Sequence, residues 1–543
     1  MNRNSMTRFS RVPAKVDYPR SSWTDDHSLI TSCNAGDLIP IEYQEIVAGD
    51  TVSMTVSSLV RSTTPIHPVM DDAYLDTYFF YVPFRLVWSH WKNFMGENTD
   101  GPWAPTVTYT PPKVTSPVGT GFAEHSLADY FKMPIKVGGK EVDALRFRAY
   151  RLIWNEWFRS EALQSPLLVN DGDNETDPTI YGDVLKANKF HDYFTSALPS
   201  PQRGEAAQVP LLGAAPLATG SSYAGPVFRL WNPSGTAGSN YGINMGYSQM
   251  ASDVSMDLGT GSLLTGYGTT GNSDRYGTMR IYDLYADLSQ ASSVSINDFR
   301  RANAIQLMLE ADARSGGRYR EILRAHFGVT VPDTTVQVPE YLGGRRVNLR
   351  TQEVLQTSAS VDNQTPQGNA AAMSKTVDES HLFTKSFTEP GMLIGVACIR
   401  TNHTYQQGIP RDAMRRTKYD YYWPALAALG EQPVSSDEIY ASGNPTTFGY
   451  QEAFAEYRYT PNAVTAEMRS NSARSLDVWH YADYYSARPT LSGEWIAETA
   501  VNFDRTLAIS SDLSDQFKLN FFFDIKWTRP MPLYSVPGLS AKF

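Results

Sequence analysis

The chain has 543 residues, of which 41% are hydrophobic and 19% charged, with a formal net charge of −10. That balance describes a globular protein of about two to four average domains, or one large sandwich with insertions. It excludes a surface coated by nucleic acid, which clustered Lys and Arg would have to neutralise. The apolar run Met392 to Ile399 falls far short of the ~20 residues of a membrane helix.

Cys33 and Cys398, the two cysteines, form no CxxC spacing and support neither a disulfide framework nor a cysteine zinc site. Residues 1 to 20 carry Arg3, Arg8, Arg11, Lys15 and Arg20 against Asp17 alone. No apolar stretch follows, so a secretory signal is not expected. Residues 1–30 read as a basic N-terminal arm, either a solvated tail or a DNA-facing one.

Alternation of Val52, Met54 and Val56 with Thr51, Ser53 and Thr55 predicts a half-buried strand over Asp50 to Val60. The aromatic block Tyr74 to Pro83 reads as a strand buried on both faces. From Asp143 the period changes, and Phe147, Tyr150, Trp154, Trp157 and Phe158 fall on one face of an amphipathic helix with Asp143 as its cap. The following loop, Asp171 to Pro178, holds four carboxylates but lacks the glycine of an EF-hand loop. It reads as a solvated turn, and structural calcium is unsupported. No cofactor is expected.

Residues 205–280 hold 13 of the 38 glycines and only seven charged side chains, the composition of a loop-rich surface insertion. Within them Gly266 to Gly271 matches GxGxxG. That motif binds a dinucleotide only between a strand and a helix, and neither is predicted here. Helical period returns where Ser295 and Asp298 have capping-box spacing and Phe299, Ala302, Ile305 and Leu309 form a stripe, broken at Gly316 and Gly317. Met392 to Ile399 reads as a buried strand.

Arg411, Arg415, Arg416 and Lys418 lie beside Tyr419, Tyr421, Tyr422 and Trp423. This mixture suits a protein interface, and base stacking with phosphate neutralisation is the other reading. Phe448 to Tyr485 then places nine aromatic residues in 38 positions with Arg and Glu between them. Such a block reads either as the inner face of a sheet or as a subunit interface, with Phe448, Tyr450, Tyr457, Arg458, Tyr459, Trp479, Tyr481, Tyr484 and Tyr485 as its candidates. Near the end Leu519, Phe521, Phe523, Ile525 and Trp527 alternate with polar positions and predict a core strand. The stretch from Thr528 to Phe543 has three prolines in 16 residues and reads as an extended arm. The nine histidines form no metal spacing, and no Walker loop or nucleophile elbow is present. A structural role is expected rather than an enzyme.

Several of these blocks together resemble the major capsid proteins of the Microviridae, gokushovirus type, the small tailless single-stranded DNA bacteriophages. The resemblance is carried by FGYQEAFAEYRY and LDVWHYADYY in the aromatic block, YLDTYFFYVPFRLVW from Tyr74, RAYRLIWNEWFR from Arg148, the helical stretch Asn297 to Val329, PEYLGG from Pro339, TYQQGIPR from Thr404 and TRPMPLYSVPGL from Thr528. It spans nearly the whole chain. The resemblance implies an eight-stranded jelly-roll β-barrel with long inserted loops and a few helices, with core segments 31–204 and 281–527, a threefold spike from 205–280 and an arm over 528–543. It also implies a T=1 icosahedral shell around circular single-stranded DNA, assembled in the host bacterial cytoplasm. The implied partners are further copies of the chain, a small basic DNA-binding protein, a scaffolding protein, a DNA-pilot protein and a bacterial surface receptor. The alternative from residue chemistry alone is a carbohydrate-binding or carbohydrate-cleaving β-sandwich protein.

Overall fold

The computed structural model describes residues 20–98, 108–177, 179–207, 296–355 and 370–534, together with the backbone of five short strands between 217 and 286. Among the described residues, eight strands build two four-stranded antiparallel sheets. They are β1 (Ser21–Cys33), β2 (Ile39–Ile46), β3 (Thr51–Ser62), β4 (Ala73–Pro83), β5 (Glu340–Leu349), β6 (Thr376–Ser386), β7 (Gly391–Thr401) and β8 (Phe517–Arg529). One sheet has the order β1-β8-β3-β6 and the other β5-β4-β7-β2. The strands therefore pair first with last, second with seventh, third with sixth and fourth with fifth.

The first sheet is half-buried by design of its sequence. On β3, Val52, Met54, Val56 and Val60 face inward, and on β8 Leu519, Phe521, Phe523, Ile525 and Trp527 do the same. Register brings Phe523 opposite Val56, Ile525 opposite Met54 and Trp527 opposite Val52, aromatic and β-branched pairs of the kind that stabilise a ladder. The outward positions, Lys518, Asn520, Phe522 and Lys526 among them, are exposed.

The second sheet is covered on both sides, which is why β4 and β7 read as nearly continuous apolar runs. Leu75, Phe79, Tyr81, Leu393, Ala397 and Ile399 pack against the first sheet. Phe80, Val82, Met392, Ile394, Val396 and Cys398 pack against a helical layer instead. Gly395 in β7 lets the Phe79 ring lie on the strand, since a Cβ there would sit 2.6 Å from the ring.

That helical layer is centred on α1 (Leu145–Ile153), which continues through a π turn at Trp154–Phe158. Its first residue is Leu145, whose N–H donates to Asp143 Oδ1 at 3.1 Å. Asp143 thus satisfies a terminal helix donor from just outside the helix. Phe147 and Tyr150 are fully buried, and the Tyr150 hydroxyl donates to the Leu38 carbonyl at 2.7 Å. Two further helices are α2 (Ile296–Ser315) and α3 (Tyr319–Phe327), separated at Gly316, whose φ of +90° ends the first. Arg318 and Arg320 at the start of α3 donate to the carbonyls of Asn155, Arg159 and Glu156 at the end of α1. This joins the two helices where their backbone acceptors are free.

A third core cluster gathers Tyr193, Phe194, Tyr405, Val434, Ile439 and Phe448 around the hairpin of Glu431–Ser435 and Thr447–Glu452. Residues 204–308 form a separate compact unit. Within it Leu217–Thr219 pairs with Leu284–Ala286 and Phe228–Trp231 with Thr278–Ile281, both antiparallel. The GxGxxG stretch at 266–271 and the cap residue Ser295 lie outside the described residues.

Four of the eight strands, β1, β2, β5 and β6, were not expected. Ser21 to Ile30 belongs to β1 and not to a free arm, because its alternate residues, Trp23 and Leu29 among them, pack on the sandwich core. β5 contains the PEYLGG block, and β2 and β6 are strands that no predicted alternation marked. At the other end, Thr528 and Arg529 are the last residues of β8 rather than the start of an arm. Among the described residues no helix is long and apolar enough to cross a membrane.

Candidate interaction surface

The loop from Gly408 to Gly430 follows the short strand Thr404–Tyr405 and is built of short 3-10 turns at Arg411–Met414, Lys418–Asp420 and Pro424–Leu426. Thr417 caps the second turn through Asp420, whose carboxylate accepts from the Arg416 and Thr417 N–H groups at 2.8 and 2.7 Å. These backbone donors hold the Asp420 carboxyl below its usual range. Trp423 is oriented by its indole N–H, which donates to the Lys418 carbonyl at 2.8 Å.

The result is a platform of rings facing outward. Tyr419, Tyr421, Tyr422, Trp423, Tyr457 and Tyr459 are each between 48% and 64% exposed. Beneath them Arg415 lies 5.0 Å from the Tyr421 ring and 4.6 Å from the Tyr457 ring, a cation–π arrangement that stiffens both. Tyr422 packs edge-on against buried Phe454 at 5.4 Å and donates its backbone N–H to the Tyr457 hydroxyl. Three of the cations are paired within the subunit: Arg411 donates to Glu438 at 3.0 Å, Arg415 to Glu456 at 3.4 Å, and Arg458 pairs with Glu452 at the surface, while Arg416 and Lys418 are exposed. Burial pushes the Glu438 carboxyl up, opposed by Arg411.

The structure divides the residues picked out by sequence. Arg411 and Arg415 meet at Glu456, and Arg415 lies against Tyr457; Arg458 and Tyr459 follow Tyr457 in the chain and Arg416 follows Arg415, all three exposed. Phe448 is buried against Phe194 and Trp495, and Tyr481 against Phe503, so the interface expectation for these two is corrected: their rings are spent inside the subunit. Tyr450 joins the third cluster's hairpin, where its backbone pairs with Leu198. Trp479 stacks on His67 at 5.0 Å, and Tyr484 is exposed. Arg3, Arg8, Arg11 and Lys15 lie outside the described residues. Arg20 is exposed and donates to the Gly49 carbonyl at 2.5 Å.

A feature that sequence reasoning missed lies under the aromatic block. His403 is fully buried, with Nδ1 2.9 Å from Asp483 and Nε2 3.1 Å from Glu498. Burial alone would lower its pKa, but the two carboxylates outweigh burial and hold it up at about 10. Burial would likewise raise Asp483, yet His403, Lys189 and Asn502 keep it well below the usual carboxylate range. Tyr485 donates to Asp483 at 3.0 Å and is itself hydrogen-bonded by Trp495. Gln407 closes a two-bond bridge to the Tyr485 backbone. The TYQQG and HYADYY blocks therefore meet as one polar network with both histidine nitrogens occupied.

The acidic loop after α1 is spent in the same way. Asp173 accepts from Trp88 at 2.8 Å and lies 2.8 Å from His90, Glu175 pairs with fully buried Arg148 at 2.7 Å, and Asp177 pairs with Arg151. These three carboxylates anchor the loop to α1 and its neighbours. No group of metal-ligating side chains occurs among the described residues.

Residues 10–539 match the capsid protein (F protein) family. The chain is 41% identical to capsid protein VP1 of Spiroplasma virus 4, over 96% of this chain and 95% of that protein. It is 39% identical to capsid protein VP1 of Bdellovibrio phage phiMH2K, over 100% and 99% of the two chains, and 37% identical to capsid protein VP1 of Chlamydia phage 1, over 98% and 97%. The carbohydrate alternative falls with these matches. The chain belongs to the capsid protein (F protein) family, as a gokushovirus-type major capsid protein of the Microviridae: a structural component of a phage virion and not an enzyme.

Proposed function

We propose that copies of this chain close into a T=1 icosahedral shell around a circular single-stranded DNA genome, and that the platform of Tyr419 to Trp423, Tyr457 and Tyr459 is one of the contacts between subunits. The observation that carries this reading is the exposure of six large rings, four of them on a supported loop, since Tyr, Trp and Arg are the residues that anchor interfaces. Tyr484 and Trp479 extend the set of candidates. A shell closes through several modest contacts of this kind repeated by symmetry.

The pairings of β1 with β8, β2 with β7, β3 with β6 and β4 with β5 support an eight-stranded jelly roll as the shell-forming unit. The unit over 204–308 is the host-facing projection, a role favoured by its glycine-rich, charge-poor composition. Arg3, Arg8, Arg11, Lys15 and Arg20 face the genome, where a local cluster of cations offsets phosphate charge. A scaffolding protein, a small basic DNA-binding protein, a DNA-pilot protein and a bacterial receptor complete the partners.

Sedimentation velocity of nuclease-treated natural material, read at protein and nucleic-acid wavelengths, tests the reading. A fast boundary carrying protected nucleic acid is expected; free subunits alone would refute it. Replacing Arg3, Arg8 and Arg11 with Ala is expected to lower the DNA content of the particles, and unchanged content removes the genome-facing assignment.

A further inference from the structure

The end of β8 holds the root of a second unpartnered apolar segment. Arg529 is clamped on the β2–β3 turn: its guanidinium lies 2.7 Å from buried Asp50 and donates to the Glu45 carbonyl at 2.7 Å. Arg20 reaches the same turn at Gly49. Ser21 donates to the Met531 carbonyl, so the chain leaves the sheet at a defined place. From there Met531, Leu533 and Tyr534 are 44%, 52% and 77% exposed. Pro530 and Pro532 prevent this segment from continuing the ladder.

We propose that the proline-rich segment after Arg529 of one subunit docks on the aromatic platform of a second copy of this chain. This rests on the shell assembly proposed above and names the partner of that surface. Proline-rich segments adopt an open, extended helix whose flat rings and free carbonyls fit Tyr and Trp platforms. The segment Pro530 to Phe543 has one charged side chain, Lys542. That suits a platform where three of the five cations, Arg411, Arg415 and Arg458, are each paired with a glutamate of the same subunit, whereas a nucleic acid would call for more unpaired ones than Arg416 and Lys418. Its 14 residues reach about 43 Å at ~3.1 Å per residue, enough to cross onto a neighbour. Because the two surfaces differ, the contact is head-to-tail and closes only by symmetry.

The test places a photoreactive benzoylphenylalanine at position 534 and irradiates particles assembled from isotope-labelled and unlabelled subunits. Mass spectrometry is expected to find mixed-label cross-links to residues 417–424 or 457–459. Cross-links within one chain, to another surface or to nucleic acid overturn the proposal. The pair of variants Leu533→Ser with Tyr534→Ser and Tyr421→Ala with Tyr459→Ala should each cut particle yield about tenfold, with unchanged thermal melting of the subunit. Should the natural protein sediment only as free subunits, the assembly reading fails, and a synthetic peptide of residues 529–539 then decides docking separately. Saturable binding that Tyr421→Ala abolishes sustains it, and absence of binding refutes it.

Discussion

The sandwich interior and the loop platform are both dense in rings, and they use them in opposite ways. In β4 and β8 the rings Phe79, Tyr81, Phe521 and Phe523 are buried to within a few per cent by a strand period that turns alternate residues to one side. On the platform Tyr419, Tyr421 and Trp423 are also spaced by two, but the backbone there is a run of short 3-10 turns and not a strand, and all three rings stay exposed. Aromatic content therefore says nothing of burial. What separates the two regions is whether the backbone gives the rings a common inward direction, and whether the charges beneath are spent within the subunit.

The comparison breaks most sharply at the core. Phe523→Ala removes a ring packed between sheets and is expected to lower subunit stability by about 3–5 kcal/mol, read by denaturant unfolding of isolated subunits. His403→Ala should come next, at about 3 kcal/mol or more, because it leaves Asp483 and Glu498 buried without their cation. Because the folded pKa of His403 is raised from 6.5 to about 10, its contribution is full below the unfolded value. It is lost as pH rises through about 10. Thermal melting should accordingly fall across that alkaline window in the natural protein and lose this dependence in His403→Gln; an unchanged slope in the variant would sink the assignment.

Smaller effects sharpen the contrast. Arg529→Ala is expected to cost about 2 kcal/mol by leaving Asp50 unpaired at the β2–β3 turn, measurable as a shift in unfolding midpoint. At the bottom of the scale, Tyr459→Ala on the platform should change subunit stability by no more than about 0.5 kcal/mol while lowering particle yield. A large loss of subunit stability there would mean that the platform belongs to the fold and not to a contact.

Much of the sandwich is legible from residue order. The strands at Thr51–Ser62, Ala73–Pro83, Gly391–Thr401 and Phe517–Arg529 announce themselves by strict alternation or by an unbroken apolar run, and α1 by its helical period. β1 and β6 do not, because each is an edge strand of the first sheet whose half-buried positions are themselves partly polar, Asp25 and His27 on β1 and Asp378 and Ser380 on β6, so no apolar alternation marks them. The candidate surface was half legible. Arg411, Arg415 and the tyrosines that follow them stood out as a mixture, but nothing in their spacing tells an exposed ring from a buried one. Phe448 and Tyr481, similar in sequence context to Tyr457 and Tyr459, are inside.

By itself, then, the sequence determined the alternation that makes strands, the helical stripe of α1, the break at Gly316 and the kinship with phage capsid proteins, since each is written in local order or in residue identity along the chain. Only the tertiary structure decided that β1 and β8, nearly 500 residues apart, pair along their whole length, that His403 sits between Asp483 and Glu498, and that the acidic loop after α1 is consumed by Arg148 and Arg151. The physical reason is that burial and charge pairing depend on which distant segments share a surface, and sequence separation carries no record of that.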